Sequence, residues 1–180
     1  DRDISNQGQI HEGSISVSLG LEGIPEMAEV VALNRDIQLA QYAESKYCAH
    51  NISSLYAVKV LKKEKSTVKH NILSTVSYLN LLFTDKDVEN FDVNLKVLPP
   101  IRDEKDRRSL IKGIKDDTID AITSGHVPIE EELKKMSFGY ASFGAIGIET
   151  TFSALNTLLA GELELETIID KLSAGPRKIL

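Results

Sequence analysis

Apolar residues fall into short blocks separated by polar, proline-bearing or glycine-bearing stretches. After Pro25, whose missing N–H costs nothing at a helix start, Met27, Val30, Val31, Ile37 and Ala40 recur at near-helical spacing and predict a helix to about Ala43. Tyr47-Cys48-Ala49-His50 reads as a strand, and Ser53 is placed to cap a helix over about 54–64. Val68 to Val76 reads as a second strand, followed by a short helical turn from Thr84-Asp85. Leu95 to Leu98 reads as a third strand, stopped by Pro99-Pro100 because proline cannot donate to a ladder. A helix over 103–115 carries Leu110, Ile111 and Ile114 on one side, and Ile119 to Thr123 is a fourth strand broken at Ser124-Gly125. Helices over 147–160 and 164–172 and a last turn over 176–180 complete the pattern. Residues 1–23 hold no sustained period and read as a long polar loop, and 129–142 as another.

Strands alternating with helices predict an α/β fold with about four parallel strands. A parallel sheet is covered on both faces, so ligand chemistry concentrates at the carboxyl ends of its strands. That directs attention to the residues just after 50, 76, 98 and 124. His50 and His126 each stand at such an end, where a metal ligand, a general base or a satisfied polar histidine fits, the last being favoured for His50. Arg102 follows the third strand, where its planar guanidinium suits a carboxylate; the plainer reading, favoured here, is a surface ion pair with Asp103, Glu104 or Asp106. His11 and His70 sit in polar surroundings and are expected to face solvent.

Composition narrows the classes. Lys and Arg total 21 against 27 Asp and Glu, a net charge of −6 over 180 residues. An acidic balance argues against bulk binding to nucleic acid or to an anionic membrane surface. No apolar run reaches the roughly 18 residues of a membrane span. One cysteine, Cys48, excludes an internal disulfide and fits a reducing, cytoplasmic setting. The chain opens on Asp1-Arg2-Asp3 without an initiator Met, and residues upstream are expected. No CxxC, HxH or HxxxH pair, no Gly-rich phosphate loop and no Ser–His–acid triad is readable, and FGAIG at 143–147 lacks the spacing of a dinucleotide fingerprint.

In order along the chain, Gly23-Ile24-Pro25 with Ala28-Glu29, then Arg35-Asp36, His50, SYLNLLFTD ending at Asp85, KVLPPIR over 96–102, DTIDAITSGHVPI over 117–129 and the FG…GIET stretch to Thr150 form a consistent series. In that series the sequence resembles the C-terminal half of dihydroorotase, of the amidohydrolase superfamily, through nearly all 180 residues. The resemblance implies half of a (β/α)8 barrel, about strands five to eight with their helices, the rest of the barrel being absent from this chain. Asp1 would be the last residue of the family's HCED.

The departures carry the functional expectation. By the resemblance, two histidines and an aspartate from this half bind a two-metal centre. The first histidine is kept as His50, the second falls on Leu79, and the aspartate, which is also the general base, falls on Gly125. The substrate-holding asparagine falls on Leu98 and a further histidine on Ile129. A general base contributes about 10²–10⁴-fold. The expectation is therefore a non-catalytic dihydroorotase-like protein of pyrimidine biosynthesis, without metal or catalytic residues, supporting aspartate transcarbamoylase structurally, with a homo-oligomer as a further option. The alternative is an active cyclic amide hydrolase with an altered or single zinc site, built on His50 and completed by the rest of the barrel. A metal-free pocket keeping Arg102 and His126 for a carboxylate ligand is the third reading.

Overall fold

The structure, a computed structural model, describes residues 1–67 and 72–180; the expected start of the second strand at Val68, and His70, lie outside the described residues. Elements run α1 (Arg2–Ser5), β1 (Ile10–His11), α2 (Ser14–Leu19), β2 (Gly23–Ile24), α3 (Glu26–Tyr42), β3 (Tyr47–Ala49), α4 (Leu55–Thr67), β4 (Ile72–Ser77) and α5 (Tyr78–Leu82). After two 3-10 turns come α6 (Glu104–Lys115), β5 (Ala121–Thr123), α7 (Glu131–Lys134), α8 (Thr151–Leu158), α9 (Leu165–Leu172) and α10 (Ala174–Ile179). β3, β4 and β5 form a parallel sheet in that order, with Tyr47 opposite Ile72 and Thr75 opposite Ala121. β1 and β2 pair separately, also in parallel.

Val76 and Ile122 sit in one apolar core with Leu61 and Val58 of α4, Leu110 and Ile114 of α6, and Leu155, Leu159 and Ile168 from the C-terminal helices. Leu110, Ile111 and Ile114 are all buried, as their spacing requires. α6 starts where Asp103 accepts hydrogen bonds from the N–H groups of Lys105 and Asp106, two of the donors a helix start leaves without partners. α3 buries Ala28, Leu33, Ile37 and Ala40; Met27 and Val31 of the expected stripe face outward instead. On the same helix Glu29 accepts from Ser53 N–H at 2.6 Å and from Ser53 Oγ–H at 2.7 Å.

Other expectations are corrected. The polar N-terminal stretch is structured rather than a loop. Asp1 caps α1, Gly20 ends α2 in the left-handed region, and Gly23 lets β2 lie against Glu12 where a Cβ would meet its backbone. Two-residue strands and one-turn helices are too short to carry a period, which is why the hydrophobic pattern does not reveal them. Leu95 to Leu98 is not a strand. Lys96 N–H donates to Val93, its carbonyl accepts from Gly144, and its side chain turns inward to the carbonyls of Phe138 and Gly139. Its backbone groups are thus used up outside the sheet. Ser54, not Ser53, caps α4, accepting from Ala57 N–H at 3.1 Å.

Candidate functional site

The carboxyl end of the sheet carries hydroxyls and amides in place of charges. β3 delivers His50 and Asn51, β4 delivers Ser77, and β5 delivers Thr123, Ser124, Gly125 and His126. Asn51, with φ of 54°, folds its chain back so that its N–H donates to Thr75 Oγ1 at 2.9 Å. Its side-chain oxygen accepts from Thr123 Oγ1 at 2.6 Å. Asn51 therefore ties together all three strands, through its backbone N–H and its side-chain oxygen. His50 is exposed, and its Nδ1 lies 3.2 Å from the Thr75 hydroxyl.

Leu79 is 5% exposed and belongs to the core cluster, so the position opposite His50 in the resemblance faces apolar neighbours and offers no donor. Gly125 has φ of 53°, and a Cβ built on it would lie 2.5 Å from Ser77 Oγ. A side chain there demands both a left-handed backbone and movement of the Ser77 hydroxyl. His126 Nδ1 accepts from Gly147 N–H at 3.2 Å, and His126 forms a parallel bridge with Ala145. That gives the FGAIG stretch a structural task. Gly147 passes against the Ser124 carbonyl where no Cβ fits, and His126 fastens the loop beside β5.

Arg102 is corrected on its surface ion-pair reading. It is 3% exposed, not a surface residue. Its Nε donates to Ser53 Oγ at 2.8 Å, its Nη1 contacts His11 Nδ1 at 3.0 Å and donates to the Ile24 carbonyl at 3.2 Å, and Glu29 lies 3.6 Å from Nη2. These groups occupy the guanidinium as a structural clamp between β2, α3 and the start of α4. Arg102 and His126 share no hydrogen-bonding partner.

His11, expected in solvent, is 6% exposed. Burial and the neighbouring Arg102 charge press its pKa down to about 4, so the ring is neutral near pH 7. It lines a cavity of about 490 Å³ together with Thr84, Asp85, Asp103 and Glu104. Asp85 is 7% exposed, and burial together with Asp103 raises its carboxyl above the ordinary carboxylate range. Asp106, one turn into α6, is 2% exposed; burial raises it to about 7, against the opposing bond from Leu55 N–H at 2.6 Å. Sequence reasoning missed this cluster. Asp103 and Asp106, one turn apart at a helix start, are legible as a pair, whereas His11 arrives from 92 residues upstream through β1.

Comparisons with known proteins place the chain. Dihydroorotase of Thermoanaerobacter sp. (strain X514) is 39% identical over 183 residues, a match that takes in 100% of this chain. Dihydroorotase of Bacillus subtilis (strain 168) is 36% identical over 178 residues and 98% of this chain. The chain is homologous to dihydroorotases over nearly its whole length. It spans about two fifths of the curated relatives it matches, 42% and 41% of those two, in keeping with a C-terminal part of the barrel. No family model matches. Among solved structures, L-hydantoinase from Arthrobacter aurescens superposes with a TM-score of 0.74 at 23% identity, over 83% of this chain and 34% of that one. Dihydroorotase from Saccharomyces cerevisiae, in complex with 5-fluoroorotic acid, superposes with a TM-score of 0.75 at 18% identity, over 95% of this chain and 47% of that one. At those identities the superpositions establish the fold alone: parallel strands alternating with helices, matching part of each of those larger chains.

Against the zinc chemistry that the dihydroorotase resemblance implies, the donors at this carboxyl end do not fit. A zinc site takes three or four N, S or O ligands. Of the three positions the resemblance assigns to this half, His50 has a donor, Leu79 has none and Gly125 has none. No helix is long and apolar enough to cross a membrane among the described residues.

Proposed function

We propose that this chain is part of a dihydroorotase-type protein of pyrimidine biosynthesis that has given up ring hydrolysis and serves structurally beside aspartate transcarbamoylase. The observation that carries the reading is Gly125. At the strand end where the resemblance places both a ligand and the proton acceptor, the backbone is left-handed and the space beside it holds the Ser77 hydroxyl. Metal-activated water needs both the metal and a group to take its proton. With glycine there, this chain supplies no proton acceptor at that position. Leu79, packed in the core, supports the same conclusion.

The test is zinc content by elemental analysis, paired with turnover of dihydroorotate and carbamoyl aspartate, on the protein that carries this chain after dialysis and zinc challenge. Less than about a tenth of a zinc equivalent and no turnover is the expected result. Stoichiometric zinc with turnover abolished by His50→Ala overturns the reading in favour of a single-zinc hydrolase. Co-purification with aspartate transcarbamoylase tests the structural role separately, and two non-interacting proteins would remove that half of the proposal.

A further inference from the structure

Away from the strand ends, three groups converge under the cavity lined by His11. A ring nitrogen of His11 and carboxylate oxygens of Asp103 and Asp106 lie within 4.8 Å of one another. Asp106 is 2% exposed, and its Oδ2 has no hydrogen-bond partner. An acceptor left without a donor in the interior is costly, so this oxygen points to an occupant. An atom centred among three corners no more than 4.8 Å apart can sit within about 2.8 Å of each, which suits a hydrogen-bonded water, and a closer fit would suit a metal. Size alone leaves both open.

Arg102 decides between them. Its Nη1 lies 3.0 Å from His11 Nδ1. Arginine has no acceptor and keeps its protons in proteins. Nδ1 must therefore accept, and the neutral ring carries its hydrogen on Nε2. One nitrogen lends its lone pair to the guanidinium and the other holds a proton, so neither has a lone pair left for a cation. Coordination would require an imidazolate or the loss of the Arg102 contact. Arg102 cannot withdraw cheaply, because the same guanidinium also holds Ser53, Ile24 and Glu29.

We propose that the His11–Asp103–Asp106 cluster is a buried water site and not a metal site, with one water accepting from the His11 Nε2–H and hydrogen-bonded to both carboxyl groups. The water gives Asp106 Oδ2 its missing partner. With Asp106 ionised, the water donates both hydrogens; with Asp106 protonated, Oδ2–H donates to the water, which still donates to Asp103. Valences close in both states. The water then links β1 to the first turn of α6 and, through Asp106 and Leu55 N–H, to the start of α4. The inference is independent of whether the protein hydrolyses anything.

Nitrogen-15 NMR of the histidine rings in the purified protein tests it, the His11 signals being assigned through their loss in His11→Gln and, should that variant not fold, through their displacement in Asp106→Asn. The expected result is a protonated Nε2 and an unprotonated Nδ1, a cross-peak from the Nε2 proton to a long-lived water, and no change on adding equimolar zinc chloride. A protonated Nδ1, absence of the water cross-peak, or a zinc-dependent displacement of the His11 signals overturns the proposal. Zinc that moves only the His50 signals leaves this inference standing and bears on the hydrolase reading instead.

Discussion

The two ends of the sheet differ in where they keep their charge. At the amino end, Asp120 accepts from Ser74 N–H at 2.7 Å and from Lys65 Nζ at 2.5 Å, and Lys65 also donates to the Thr118 carbonyl. Lys171, 4% exposed, donates to Asp117 and to the Ile119 carbonyl. At the carboxyl end, the strands are tied by Thr75, Asn51 and Thr123, all uncharged. In a barrel of this type the amino end serves stability and the carboxyl end serves chemistry. Here the amino end holds ion pairs, while the carboxyl end is joined by neutral hydrogen bonds.

That contrast can be broken first at its strongest point. Asp120→Ala leaves the Lys65 ammonium and the Ser74 N–H without their partner in a partly buried place and is expected to destabilise the fold by about 3 kcal/mol, read by urea denaturation. A loss below about 1 kcal/mol would remove the argument that the amino end carries stability.

The buried cluster sharpens the comparison through pH. Asp106, raised to about 7 from its ordinary value near 3.8, keeps its proton in the fold, so its contribution falls as pH rises from about 4 to 7. His11, lowered to about 4 from 6.5, stays neutral in the fold, so its contribution rises over pH 4 to 6.5. The slopes oppose across that window, each about 1.4 kcal/mol per pH unit at most. Stability of Asp106→Asn relative to the parent should therefore increase with pH between 4 and 7, and that of His11→Gln should decrease between 4 and 6.5. Parallel, flat difference curves from thermal melts would show that these groups are not coupled to folding.

Smaller effects lie at the carboxyl end. Gly125→Ala meets a left-handed backbone and the Ser77 hydroxyl and should cost about 1–2 kcal/mol, part of it recovered by Ser77→Gly in the same chain. Additive losses in a double-mutant cycle would mean that the two residues do not compete for one space. Thr123→Val removes the bond to Asn51 and should cost about 1 kcal/mol in the same measurement.

Several features are legible in the order of residues alone. The buried face of α6, the strands at Tyr47–Ala49 and Ala121–Thr123, and the α/β order follow from local periodicity and from breakers such as Pro25 and Gly125. The absence of donors at Leu79 and Gly125 is a matter of residue identity and needs no coordinates. The N-terminal stretch is not legible in this way, because β1 and β2 exist only as partners of one another and two residues carry no period.

The sequence by itself determined which chemistry the strand ends lack, since a leucine or a glycine has no lone pair in any fold. Tertiary structure alone decided what the charged and polar residues do. Arg102, assigned to the surface by its acidic neighbours in sequence, is drawn inward because Ser53, His11 and the Ile24 carbonyl meet it from three other elements. His11 and Asp106 change their proton affinities for the same reason: desolvation depends on what packs above a group, and the chain brings that cover from residues far away in sequence.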